Sequence, residues 1–237
     1  MRLLVGTSGF SYKEWKGSFY PEDLPDAKML AYYASRLPTV EINNTFYRMP
    51  TKELLEKWSG EVGDGFTFVL KAPQRLTHRK RLVDCADDLR YFIETASVLG
   101  PGLGPLLFQL PPNFKKDVPR LRDFLALVPQ QRRAAFEFRH ESWFDEETFE
   151  TLRAGRAALC AADTDESGEA GPPLLGMGDW GYLRLRRADY SDADLSGWAE
   201  RVQALPWGEA FVFFKHEDAG KGAQFAERFR AAWGPDA

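Results

Sequence analysis

Eight apolar runs in this chain each carry or lead into polar or ionisable residues at one end, and this constrains the fold more than any other feature. Residues 3–5 lead into Gly6-Thr7-Ser8, residues 40–43 carry Glu41 and Asn43, residues 66–71 end in Lys71, and residues 106–110 carry Gln109. Residues 136–139 carry Glu137 and Arg139, 158–163 end in Asp163, 182–185 carry Tyr182 and Arg184, and 211–214 run into Lys215 and His216. Strand side chains alternate between faces. Glu41 and Asn43 therefore share one face, with Val40 and Ile42 on the other, and Glu137 and Arg139 lie opposite Phe136 and Phe138. Between the runs lie segments with helical spacing. Alternating strands and helices imply parallel pairing. The pattern predicts an α/β fold, a (β/α)8 TIM-type barrel whose polar strand ends gather at one mouth.

The helical stretches are legible from their apolar faces. Leu30, Tyr33, Ala34 and Leu37 share one face, and Thr51 is placed to cap a helix over 52–58. Residues 84–99 bear a stripe of Leu89, Phe92, Ile93, Ala96 and Leu99, with Asp84, Asp87 and Asp88 at the positive end. Further helices are expected near 121–128, 145–153, 195–205 and 225–233. Between Asp163 and Trp180 the glycines and prolines predict a loop, so the sixth helix is expected to be irregular or missing.

One barrel domain over 1–237 accounts for the whole chain. A hydrophobic content of 44% beside 28% charged residues fits a globular protein, and no apolar run approaches the length of a membrane span. Residues 1–5 resemble the start of a signal peptide, but they stop at Gly6 and read as the first strand. Two cysteines, Cys85 and Cys160, make no disulfide framework, and a cytoplasmic location is expected. At a net charge of −4, nucleic-acid binding would need a local basic patch.

Active sites of such barrels form at the C-terminal strand ends. Glu41, Glu137, Lys71 and Asp163 are the candidate catalytic residues. Arg139, Arg184, Asn43, Gln109, Tyr182, Tyr12, His78 and His140 are the candidate ligand-binding residues. A plainer alternative is that the acids and bases only neutralise one another. The loop after the third strand is basic (Arg75, His78, Arg79, Lys80, Arg81), which favours an anionic ligand. Of the aromatic residues near the mouth, Phe10, Tyr12 and Tyr47 are the contact candidates, whereas Trp15, Phe19 and Trp143 read as core. Alternation turns Cys160 outward, away from any role as a nucleophile. No tight metal-ligand spacing is present, so no metal or cofactor is expected, with a divalent metal on histidines and carboxylates as the weaker option.

Several of these motifs resemble one family. Val-Gly-Thr-Ser-Gly-Phe-Ser-Tyr-Lys-Glu-Trp at 5–15, Phe-Tyr-Pro at 19–21 and Val-Glu-Ile-Asn-Asn-Thr-Phe-Tyr at 40–47 are similar to the YecE-like family, domain of unknown function seventy-two (DUF72). Phe-Gln-Leu-Pro-Pro at 108–112 and Phe-Glu-Phe-Arg-His-Glu-Ser-Trp at 136–143 extend the likeness. The resemblance implies a TIM-type barrel and no established reaction. It departs after the eighth strand, where Lys215-His216-Glu217-Asp218 replaces an amide pair.

The expected function is an enzyme, a hydrolase, lyase or isomerase, acting on a small anionic, hydroxyl-rich ligand such as a phosphorylated sugar. Arg139, Arg184 and Lys71 would hold the anion, with Glu41 and Glu137 as acid/base pair and Asp163 orienting Arg184 or a ligand hydroxyl. The alternatives are a nucleic-acid-binding or metal-dependent phosphodiester-cleaving barrel, and a non-catalytic ligand sensor. No membrane partner is expected, and the sequence does not indicate an oligomeric state.

Overall fold

Each apolar run pairs with its neighbours through backbone hydrogen bonds, and the last run returns to the first. In the computed structural model, which describes residues 1–165, 173–216 and 218–234, eight parallel strands close into a barrel in the order β1 to β8. The strands are β1 Arg2–Ser8, β2 Thr39–Ile42, β3 Thr67–Lys71, β4 Leu103–Gln109, β5 Ala134–Glu137, β6 Ala158–Asp163, β7 Trp180–Leu185 and β8 Glu209–Phe214. The helices are α1 Met29–Ala34, α2 Asn44–Tyr47, α3 Lys52–Glu61, α4 Ala86–Ala96, α5 Val118–Leu127, α6 Glu146–Ala154, α7 Asp192–Gln203 and α8 Lys221–Trp233. The TIM-type (β/α)8 architecture expected from the sequence is the one observed. Between β6 and β7, residues 173–179 form no helix, and the rest of that expected irregular unit, 166–172, lies outside the described residues. Among the described residues no helix is long and apolar enough to cross a membrane.

Local sequence fixes where several helices begin. The side chains of Thr51, Asp117, Asp145 and Ser191 accept the backbone N–H of Leu54, Arg120, Thr148 and Asp194. Each satisfies a donor that the first helical turn leaves free.

Alternation divides the apolar side chains into two layers. The outer layer packs strands against helices, with Val40, Ile42, Phe136, Phe138 and Phe214 among its members. The barrel interior holds Leu4, Val69, Leu107, Ala135, Ala158, Cys160, Trp180, Tyr182, Phe211 and Phe213. Its filling is lopsided. Small residues on β5 and β6 leave room for the large rings of β7 and β8, so the barrel is plugged below its polar end. Trp207 packs so closely on β7 that a Cβ at Gly181 would lie 2.1 Å from its ring.

Candidate functional site

The inward faces of β2, β3, β4, β5 and β7 place Glu41, Lys71, Gln109, Glu137, Tyr182 and Arg184 in one hydrogen-bonded cluster at the C-terminal end of the barrel. All six are buried. Arg184 lies between the two acids. Its Nη2 donates to Glu41 Oε1 at 2.8 Å and its Nη1 to Glu137 Oε2 at 2.6 Å. Glu41 also accepts from Ser8 Oγ at 2.7 Å and from Tyr182 Oη at 2.5 Å. Glu137 accepts on its other oxygen from Gln109 Nε2 at 2.8 Å, Arg186 Nη2 at 3.0 Å and Arg139 Nε at 3.3 Å. Gln109 then passes the chain on, its Oε1 receiving Lys71 Nζ at 2.8 Å.

This network sets the electrostatics. Burial alone would raise the pKa of Glu137, but Arg184, Arg186 and Arg139 outweigh it and hold the carboxyl well below its usual range. The same carboxylates keep Arg184 firmly charged against its own burial. Burial drives the Tyr182 phenol up, and the Glu41 charge adds to the effect. Lys71 moves the other way. Desolvation and then the Arg184 charge lower its ammonium to about 8, only partly offset by Glu41 and Glu137. Its Nζ also lies 4.2 Å from the centre of the Phe46 ring.

The cluster has a neutralised floor and a basic rim. Among the described residues, Lys71, Arg139, Arg184 and Arg186 face only Glu41 and Glu137, a surplus of two positive charges. The Arg139 side chain is 36% exposed and that of Arg186 15%, so the surplus lies toward solvent. Two buried donors within this set, Nε of Arg184 and Nε of Arg186, have no acceptor among the described residues.

The structure corrects the sequence reading of β6. Asp163 faces outward rather than into the cup, and its Oδ2 accepts from Arg187 Nε at 2.8 Å, Tyr190 Oη at 3.0 Å and Trp198 Nε1 at 3.2 Å. It ties β6 to the segment after β7 and to α7, and it does not touch Arg184. Cys160, expected to face outward, faces the barrel interior, where burial raises its thiol far above the usual range. One cause explains both. Ala158 to Ala162 are apolar on either face, so nothing local sets the parity, and shifting it by one flips every side chain.

The remaining sequence candidates lie at the edge of the cup or outside it. His78 stands edge-on to Phe46 with ring centres 4.9 Å apart, and burial and then Lys71 lower its basicity. His140 caps a single turn, its Nδ1 accepting from the Ser142 N–H at 3.1 Å. Tyr12 Oη donates to the Ser8 carbonyl at 2.7 Å. Asn43, just past the end of β2, is half-buried and faces a separate cleft. Part of the basic loop is paired, since Arg75 and Lys80 share Asp88, at 2.9 and 2.8 Å. Trp15, Phe19 and Trp143 are core, as their loop positions suggested, and Tyr47 is 75% exposed.

Two members of the cluster lay outside the candidate set. Ser8 bonds Glu41, and Arg186 bonds Glu137. Arg186 was available from alternation, because 182, 184 and 186 continue one face past the apolar run. Among the described residues, no group of three histidines, cysteines or acids converges as a metal site.

Residues 4–237 match the family model described as "Protein of unknown function DUF72". The UPF0759 protein YecE of Escherichia coli strain K12 is 33% identical over 128 residues, which is 53% of this chain and 47% of that protein, so the match spans about half of either. The UPF0759 protein YunF of Bacillus subtilis strain 168 is 27% identical over 231 residues, covering 90% of this chain and 78% of YunF. Among solved structures, a DUF72 family protein from Thermotoga maritima MSB8 matches with a TM-score of 0.86 and 30% identity over 98% of both chains. A DUF72 family protein from Enterococcus faecalis V583 matches at 0.79 with 18% identity, covering 98% of this chain and 95% of its own, a likeness of fold alone.

Proposed function

The chain belongs to the DUF72 family of proteins of unknown function, and from its basic cup we propose that it is an enzyme binding a small anionic, hydroxyl-rich ligand such as a phosphorylated sugar. The observation that carries this reading is the surplus of cations over carboxylates in one cluster of the described residues. Arg139 and Arg186, on the solvent side of the cluster, hold the anion together with the buried Lys71. Arg184 stays with the two glutamates and fixes the floor. Proton transfer falls to Lys71 rather than to a Glu41/Glu137 pair. An amine lowered to about 8 exchanges protons near neutral pH, whereas Glu137 is held ionised by its arginines. This chemistry suits an isomerase or lyase acting next to the bound anion.

A second reading, a nucleic-acid-binding barrel, is favoured by the exposed Tyr47 ring beside the mouth. It is weaker, because Asp88 already pairs with two cations of the basic loop.

Calorimetric titration with inorganic phosphate tests the anion site. The wild type is expected to bind, and Arg139→Ala/Arg186→Ala to bind at least tenfold more weakly. Wild-type protein that takes up no phosphate, sulfate or sugar phosphate at millimolar concentration removes the reading.

A further inference from the structure

Immediately outside β2, a cleft of about 250 Å³ opens between α1, α3 and the loop after β1. It begins where two strands of the cup end, although no cup residue lines it. Gly9 and Asn43 line it, and they directly follow strands whose Ser8 and Glu41 face the barrel interior. The Gly9 N–H also donates to the Glu41 carbonyl at 2.8 Å, so the two walls are fixed to each other. We propose that this cleft holds the hydroxyl-bearing ring of a sugar phosphate whose anion sits in the cup, an inference that rests on the cup being an anion site.

Three features select a sugar ring. The first is shape. Phe10 and Trp58 stand at 86° to one another, and Trp58 is itself stacked on Phe68 at 15°. Two perpendicular rings cannot sandwich a planar base, whereas a puckered ring needs only one apolar wall, here completed by Leu30 and Ile42. The second is polarity. The amides of Asn43 and Asn44, the carboxylates of Asp26 and Glu61 and the ammonium of Lys57 edge the cleft. Amides and carboxylates accept hydrogen bonds from hydroxyls, and the acids are held in place by lysines, Asp26 by Lys16 at 2.9 Å and Lys13 at 3.5 Å and Glu61 by Lys57 at 3.8 Å. The ligand is oriented by the cup, whose surplus cations take the anion and leave the hydroxyls to the cleft. The third is size. The volume is below the roughly 300 Å³ lower bound of pockets for drug-sized ligands, so it suits a single ring.

The test compares inorganic phosphate with ribose 5-phosphate, glucose 6-phosphate, glucose 1-phosphate and fructose 6-phosphate by calorimetry, with AMP as the planar-base control. At least one sugar phosphate is expected to bind tenfold or more tightly than phosphate, and more tightly than AMP. Ala27→Trp, at an exposed position lining the cleft, is expected to erase that margin while leaving phosphate affinity unchanged. Asn44→Ala, also exposed, provides a second variant expected to narrow it should Ala27→Trp fail to fold. Phosphate binding with no margin for any of the sugars overturns the cleft assignment and leaves the cup intact. A margin that survives both substitutions, or one matched by AMP, overturns it as well. Absence of phosphate binding indicts the cup instead.

Discussion

Arg184 bonds Glu41 through one η-nitrogen and Glu137 through the other, and all three side chains are almost wholly buried. One cation thus ties β7 to β2 and β5 across the interior of the barrel. Buried charges are costly to take out of water, and a buried charge left without its partner costs about 3–5 kcal/mol. Together these set what the cup tolerates.

Glu137→Gln is therefore expected to destabilise the fold by about 3–5 kcal/mol, rather than leave the melting temperature unchanged as a purely catalytic carboxylate would. The pH dependence has a definite sign. The folded-state pKa of Glu137 lies below the unfolded one, so its contribution is complete above about pH 5 and fades only as pH falls below the ordinary carboxylate range. Urea unfolding of both proteins should show a constant gap from about pH 5 to 8 that narrows in stronger acid. A gap near zero at neutral pH contradicts the pairing.

Lys71 has the opposite effect on stability. Its folded value of about 8 lies below the unfolded value of roughly 10.4. The buried ammonium thus weakens the fold at all pH below 8, and the penalty is relieved as pH rises from 8 toward the unfolded value. Lys71→Met should be at least as stable as the wild type at pH 7, and its advantage should shrink as pH rises above 8. Parallel thermal melts from pH 6 to 10 check this, and a variant that melts well below the wild type at pH 7 contradicts it.

What could be read from the sequence follows from how strongly each strand marks its two faces. On β2 and β5, charged residues alternate with Val, Ile or Phe, and the inward positions of Glu41 and Glu137 follow. On β7, Tyr182 and Arg184 alternate with leucines, and the same period leads on to Arg186. On β6, Ala, Leu and Cys suit either face, and assigning Asp163 inward turned Cys160 outward with it. The barrel itself was legible, because eight apolar runs separated by helical stripes admit few other closures. The bonds from Ser8 to Glu41 and from Arg75 and Lys80 to Asp88 were not, since they depend on distances that no local pattern encodes.

The outward placement of Asp163 gives a sharp contrast with the cup. Its Oδ2 accepts three hydrogen bonds, from Arg187, Tyr190 and Trp198, two of them from rings packed between sheet and helices. Asp163→Ala should cost about 2–4 kcal/mol, because buried donors lose their acceptor. Phosphate affinity of the folded variant should stay within about twofold, since a shift that small is under 0.5 kcal/mol. A drop of tenfold or more would place Asp163 back among the ligand-binding residues.

Anion binding and the Lys71 proton are linked. A phosphate held by Lys71, Arg139 and Arg186 adds negative charge beside an ammonium now held near 8, and an opposite charge at close range favours the protonated form. Binding at pH 8 should then take up protons, seen as a binding enthalpy that varies with the ionisation enthalpy of the buffer. Affinity should fall as pH rises above 8, because the competent form of the site is the protonated one. The second ionisation of phosphate is largely complete above pH 8 and its remainder would strengthen binding, so the fall comes from the protein side. Lys71→Met should bind more weakly throughout and lose both the proton uptake and the decline above pH 8. If the variant keeps the wild-type pH profile, another group carries the proton and Lys71 does not touch the anion.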